Sequence, residues 1–268
     1  MSYFQYEEVI LMGVGDVTVN ISKCSEKALH FNGATAFMNC GTNESLSITD
    51  NISIEIWLRS GDLLQNNTYI LAMGAWDALD RFNITINPAE RIEINFGDGV
   101  NTAAVAFVNF LDTTDWIHMV LVATPDNFKI YKDGVLFGTM ANSLGTLKTN
   151  NQFVLGRHYP GLGNYYSGDM DNVKLFNRVL SKSEITDLYN GKNIPKRVGC
   201  WSMNNPSDAG HDDSGNGNNG TITDATSIGG HNTTEDDAKT MRVNANSKYG
   251  FVPLANGREI MAIHVEEA

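Results

Sequence analysis

The run FKIYKDGVLFGTM, Phe128 to Met140, sets Asp133-Gly134 between two stretches in which apolar residues alternate with polar ones. Asp-Gly tolerates the left-handed backbone that a two-residue hairpin needs, and its twist matches that of the flanking strands. The same period-two signal recurs along the chain. SIEIWLRS (Ser53 to Ser60) puts Ile54, Ile56 and Leu58 on one face and Glu55, Trp57 and Arg59 on the other. RFNITIN and RIEINFGDG predict a hairpin around Pro88-Ala89-Glu90, and WIHMVLVAT reads as a buried β-branched run. QFVLGR and GDMDNVKLFNRVL predict further strands. Strands this closely and regularly spaced predict an all-β sandwich or barrel.

One segment departs from that period. SKSEITDLYNG offers Ser181 as N-cap, Glu184 at the capping-box position, Ile185 and Leu188 on one face and Gly191 as a stop, which predicts a short helix. From Asn204 to Asp237 the chain is rich in Gly, Asn, Asp, Ser and Thr, and reads as turns and loops. Both ends resume strand character, in DVTVNIS and around Asn256-Gly257. The expected organisation is an N-terminal arm (1–24), a body (25–235) and a C-terminal strand hairpin (236–268).

Of the 268 residues, 42% are hydrophobic and 19% charged, enough for a substantial core. The net charge of -12, with no Lys/Arg cluster, argues against nucleic acid or an anionic membrane as partner. No apolar run approaches the ~20 residues of a membrane-spanning helix. Met1 to Ile10 carries Glu7 and Glu8 and no basic segment, which predicts no secretory leader. Cys24, Cys40 and Cys200 are widely spaced, and predict free thiols in a reducing compartment.

Several segments together resemble the laminin-G-like, concanavalin A-like lectin/glucanase jelly roll. They are ALHFNGATAFMNCGTNESLSITDNISIEIWLRSG, DTTDWIHMVLVATPDNFKIYKDGVLFGTM and YSGDMDNVKLFNRVLSKSEITDLYNG, spanning Ala28 to Gly191. The resemblance implies a sandwich of two antiparallel sheets with one short helix, here with strand-like terminal extensions. Trp57, Trp116, Phe31, Phe153, Leu155, Val173 and Leu175 are the expected core. VGCWSMNN and DDSGNGNNGTI resemble the opening of such a unit, yet they follow its closing helix. Residues 196–226 either fold back as a late-placed edge strand and loop, the favoured reading, or dock on a neighbour.

Chemistry is sparse. Glycoside hydrolysis needs two carboxylates flanking one bond; Glu55, Glu93 and Asp98 give no such pair on one strand face, so no enzymatic activity is expected. His118 reads as a satisfied core-edge histidine. The resemblance implies a Ca2+ site where the opening turn meets the closing strand, from Asn32, Asp169 and Asp171; Asn32 stands where an Asp is common, which lowers the charge, and Asp171 could instead brace its own turn. HDDSGNGNN is a second oxygen-rich loop. Sugar stacking is expected at Trp76, Tyr159, Tyr165 and Tyr166, in the Gly-rich stretches GAWDALDRF and GRHYPGLGNYYSGD, with rim packing or a subunit contact as the alternative.

Two functions follow from this reading. The first is a non-enzymatic structural protein of a virion, a bacteriophage decoration, fibre or tail component made in the host cytoplasm and displayed on the virion surface. It would assemble as an oligomer through its termini and attach to cell-surface glycans; jelly rolls of this type recur on phage surfaces, an argument from fold analogy. The alternative is the carbohydrate-binding module of a cellular lectin-like protein.

Overall fold

A computed structural model describes residues 16–19, 27–61, 67–87, 91–150, 152–161, 163–205, 207–231, 239–242, 252–253 and 259–260. The chain divides into two compact units, Glu26–His231 and a terminal unit of Met1–Ser25 with Asn232–Ala268. In the terminal unit, β1 (Asp16–Val19) pairs antiparallel with β17 (Lys239–Arg242), and β18 (Val252–Pro253) with β19 (Glu259–Ile260). Asn256-Gly257, between the last two, and Cys24 lie outside the described residues.

The larger unit contains β2 (Lys27–Asn32), β3 (Phe37–Asn39), β4 (Ile52–Ser60), β5 (Thr68–Met73), β6 (Phe82–Asn87), β7 (Arg91–Gly97), β8 (Thr102–Phe107) and β9 (Ile117–Ala123). It continues with β10 (Asn127–Lys132), β11 (Val135–Ala141), β12 (Phe153–Leu155), β13 (Ser167–Phe176), α1 (Lys182–Tyr189), β14 (Gly199–Trp201), β15 (Thr221–Thr223) and β16 (Thr226–Gly229). One sheet runs β11-β10-β9-β4-β13-β2-β16, with β14 also on β13; the other runs β15-β3-β12-β5-β6-β7-β8. All strand pairs within these sheets are antiparallel, as the resemblance implies.

The local signals act as their chemistry requires. Asp133 and Gly134 both take positive φ, 51° and 77°, and close the β10–β11 hairpin at the Lys132–Val135 pair. β6 and β7 pair through Asn87 and Arg91; Pro88–Glu90 between them lies outside the described residues. Ser181 and Glu184 complete the capping box of α1.

β9 is buried along its whole length because both of its faces are covered. Ile117, Met119 and Leu121 enter the core between the sheets. Val120 and Val122 lie on the outer face, under Ile185 and Leu188 of α1, with Phe176, Leu180 and Ile194. A strand covered twice loses the polar half of its alternation.

Phe31, Phe153, Leu155, Val173 and Leu175 are fully buried in the core. Trp57 and Trp116 are not: both are half-buried, and Trp57 shares the outward face of β4 with Glu55 and Arg59. A tryptophan on a strand looks apolar whichever face it takes, and here the alternation, not its hydrophobicity, decides the side. The indole that fills the core is Trp201, fully buried and stacked on Phe153 at 5.0 Å and 17°.

Trp201 comes from the segment after the helix. β14 pairs with Val173–Leu175 of β13, β15 with β3 and β16 with β2, so this segment extends both sheets of its own chain. Asp212 organises the loop between them. Its Oδ1 accepts the N–H groups of Cys200 and Ser214, each at 2.9 Å; its Oδ2 accepts the Asn218 N–H at 2.9 Å and the Ser214 hydroxyl at 2.8 Å. The Trp201 indole N–H reaches the Asn218 carbonyl at 2.8 Å. Gly210 must be glycine, because a Cβ there would lie 2.0 Å from the Gly220 carbonyl oxygen.

Two outcomes are expected. Trp201→Ala should cost about 3–5 kcal/mol in urea unfolding, the range for deleting a large buried ring. Glu184 is held down to about 2 from 4.5 by Arg178 and the Ser181 N–H and hydroxyl. A lowered carboxylate pKa stabilises above the unfolded value and ceases to as pH falls through the folded one. Glu184→Gln should therefore unfold more easily than wild type at neutral pH, with the difference shrinking as pH falls from 4.5 towards 2.

Candidate functional site

The two sheets present different outer faces. On the eight-stranded sheet, β4, β9, β13 and β2 carry a network of charged and aromatic groups. Glu55 and His118 are fully buried there, with Glu55 Oε1 3.2 Å from His118 Nε2 and Oε2 accepting from Lys174 Nζ at 2.8 Å. Burial opposes ionisation of Glu55, but the Lys174 ammonium and the His118 hydrogen bond outweigh it and hold its carboxyl below the usual value. His118 is expected from the sequence at the core edge and satisfied; it is instead fully buried, with Nε2 on Glu55 and Nδ1 without a hydrogen-bond partner. Glu55 serves as the anchor of an ion pair.

The residues expected to hold calcium lie along the same region, each engaged by donors. Asn32 Oδ1 accepts the N–H groups of Ala34, Thr35 and Ala36. Asp169 Oδ1 is 2.7 Å from His30 Nδ1, and its Oδ2 accepts from Arg59 at 2.7 Å. Asp171, fully buried, takes the His231 backbone N–H at 3.2 Å and lies 2.7 Å from its Nδ1. The His231 ring then lies flat on Trp57 at 4.0 Å. Asp169 and Asp171 sit two apart on one strand face, while the Asn32 amide is turned into its own loop. Among the described residues no group of three His, Cys, Asp or Glu side chains is arranged to hold a metal. The oxygen-rich loop at Asp212 is likewise filled by its own N–H and O–H donors.

The seven-stranded sheet is uncovered by any helix among the described residues. Ile84, Ile86, Ile92, Ile94 and Phe96 face the core, so the alternate residues face away from it. Asn83 and Thr85 are buried there, with Asn83 Oδ1 accepting the Met73 N–H at 3.2 Å, while Asn87, Glu93 and Asn95 are half-buried. Glu93 accepts from Asn87 Nδ2 at 2.8 Å and Asn95 Nδ2 at 3.1 Å. Ala104 and Ala106 of β8, opposite Asn95 and Glu93, keep this polar floor shallow. Tyr69 on β5 stands beside it; burial pushes its phenol up, against the pull of Arg81 and with a push from Glu93.

Two loops border the floor, Gly74–Arg81 and Gly156–Tyr166. They are tied together by the Trp76 N–H to the Tyr159 carbonyl, 3.1 Å, and Arg81 donates to the Trp76 carbonyl. Trp76 is 56% exposed, the most exposed aromatic ring among the described residues. Tyr159 and Tyr165 are half-buried, and Tyr165 bridges to Tyr69. His158 lies 5.7 Å from the Tyr69 ring, its imidazole pushed down by burial and by Arg157. Gly161 permits this: a Cβ there would meet the His158 ring at 2.5 Å.

Tyr166 is a correction. It is fully buried against Phe31, and its hydroxyl donates to the Arg59 carbonyl at 3.0 Å. Burial, reinforced by Asp169, pushes that hydroxyl far up, so it stays protonated. Tyr165 and Tyr166 are adjacent in extended chain, so one points out and the other in. The sequence offers no anchor to decide which; it also gives Tyr69 and Asn95 no role, and weighs Glu93 only as a catalytic carboxylate.

The sequence profile of the Concanavalin A-like lectin/glucanases superfamily, in its laminin-G form, matches residues 32–186. The chain belongs to this superfamily. No curated protein sequence matches it. Among solved structures, a putative carbohydrate binding protein from Bacteroides ovatus is similar at TM-score 0.57 and 15% identity, covering 76% of this chain. The chain spans 60% of that protein's length. A Limulus polyphemus SAP-like pentraxin aligns at TM-score 0.48 and 13% identity, covering 65% of this chain and 87% of its own. The CBM40 of a Ruminococcus gnavus sialidase, bound to alpha2,3-sialyllactose, aligns at 0.49 and 14%, covering 60% and 96%. What the Bacteroides ovatus protein shares with this chain, at 15% identity, is the fold of the sandwich.

The buried pair gives a prediction. Lys174→Met should cost about 3–5 kcal/mol in urea unfolding at neutral pH, because it strands an ionised Glu55 in the interior. The cost should shrink with Glu55→Gln in the same chain, a coupling that a double-mutant cycle reads directly.

Proposed function

We propose that this protein binds carbohydrate, without catalysis, on the outer face of its seven-stranded sheet and the rim beside it. The observation that carries the reading is Trp76. Its indole is exposed, yet its backbone is pinned on both sides, by Tyr159 and by Arg81. An exposed ring on a fixed loop offers an apolar face at small entropic cost, which suits the C–H face of a sugar. Tyr159, Tyr165 and Tyr69 extend the aromatic edge, and Glu93, Asn95 and Arg81 offer donors and acceptors for hydroxyls. Tyr166 supports this rim from the core.

Calcium plays no part in this reading. Asn32 Oδ1, both Asp169 carboxylate oxygens and Asp171 Oδ2 are engaged by N–H and imidazole groups that a cation would have to displace.

A second reading concerns the setting. The two chain ends form a compact unit of their own. That supports a structural component, of a virion in the reading above, whose terminal unit joins an assembly and whose sandwich meets glycans on a host surface. Weak sites displayed in many copies gain strength by avidity. Deletion of Met1–Ser25 should then abolish incorporation into the assembly.

The test of the main reading is a broad glycan array, with protein clustered on beads, in calcium and in chelator. Binding to a coherent set of sugars is expected in both. Trp76→Ala should weaken it roughly tenfold or more, the loss of about 1.5 kcal/mol of ring contact, at unchanged melting temperature. Tyr166→Phe should bind normally and lose about 1 kcal/mol of stability. Absence of binding in both conditions, or a large fall in melting temperature with Trp76→Ala, overturns the reading.

A further inference from the structure

The two flanks of the sandwich are finished differently. On one, the sheets end in β15 and β16, three and four residues long. Short edges offer little to pair with. On the other they end in β8 and β11, six and seven residues long, which lie against each other. β8 reads TAAVAF and β11 reads VLFGTMA, with no charge and no proline in either.

Charge and proline are two of the devices by which sheets protect an edge, and both are missing from this flank, where the protection that remains is a bulge at Phe137 of β11. Apolar side chains are exposed there as well. Val135 and Leu136 are 68% and 47% exposed, and Phe137, Met140 and Val108 are exposed too. Phe137 leans on Phe110 at 5.1 Å, edge to face, which fixes it in place. β11 is hydrogen-bonded within its sheet to β10 alone.

We propose that this flank is the interface with a second copy of the same chain, in which β11 pairs antiparallel with its counterpart and continues the eight-stranded sheet across a two-fold axis. Three features select a second copy. An antiparallel edge is its own complement, so a two-fold axis satisfies both strands at once. Each copy carries a net charge of -12, so copies repel over most of their surface. Along β11 and β8 they meet over seven- and six-residue strands with no like charges opposed, and a basic partner would find nothing acidic on either strand to recognise. A seven-residue strand gives a seam about 23 Å long, and the neighbouring β8 edges widen the contact.

The experiment is sedimentation equilibrium on the full chain over a range of micromolar concentrations, for wild type, Leu136→Lys, Val135→Lys and, on the opposite flank, Thr226→Lys. Wild type and Thr226→Lys are expected near twice 29.4 kDa. Leu136→Lys and Val135→Lys are expected as folded monomers with wild-type circular dichroism. Thr139→Cys, on the same strand, should form a disulfide-linked dimer under mild oxidation while Thr226→Cys does not. A wild type that stays monomeric overturns the proposal. So does a dimer that both lysine variants leave intact, since the copies then meet elsewhere.

Discussion

The flat contact between Trp201 and Phe153 spans the two sheets, since Trp201 ends β14 on one and Phe153 begins β12 on the other. Much of the architecture follows from placing that indole. Its N–H must be satisfied in the core, so the loop beyond it turns back to offer the Asn218 carbonyl. That turn needs a buried acceptor for its own N–H groups, and Asp212 supplies it. Once the loop is fixed, β15 and β16 are delivered to the edges of both sheets. The last third of the larger unit is thus part of the same core as the first.

The outer faces then diverge. One sheet is overlaid by α1 and by ion pairs whose members come from four strands. The other keeps a polar floor of small and amide side chains beside a fixed aromatic rim. The first arrangement commits its chemistry to holding the fold; the second leaves Asn87, Glu93 and Asn95 partly exposed. This asymmetry makes the seven-stranded face and its loops the place to seek a ligand.

Much of this was legible in the sequence. Asp133-Gly134, the capping box at Ser181 and the alternation in β4 and β6 act over a few residues, and each formed as its local chemistry demands. The fold class followed from their spacing. What depended on distant partners was not legible. Asp169 and Asp171 resemble cation ligands until His30, Arg59 and His231 arrive from 139, 110 and 60 residues away. Trp57, Trp116 and Tyr166 show the same limit: a ring's side of the sheet depends on register, which composition does not contain.

The first and last strands of the sandwich are neighbours, with Lys27 paired to Gly229 and His30 to Thr226. This has a mechanical consequence. Tension drawn through the two ends of the unit loads an antiparallel pair from one end, so its hydrogen bonds open one after another, as in a zipper. The same tension on strands pulled lengthwise would load every bond together. The sandwich should therefore yield first at this end, with His231 leaving Asp171 and Trp57 and β16 then peeling from β2, while the stack between Trp201 and Phe153 stays closed.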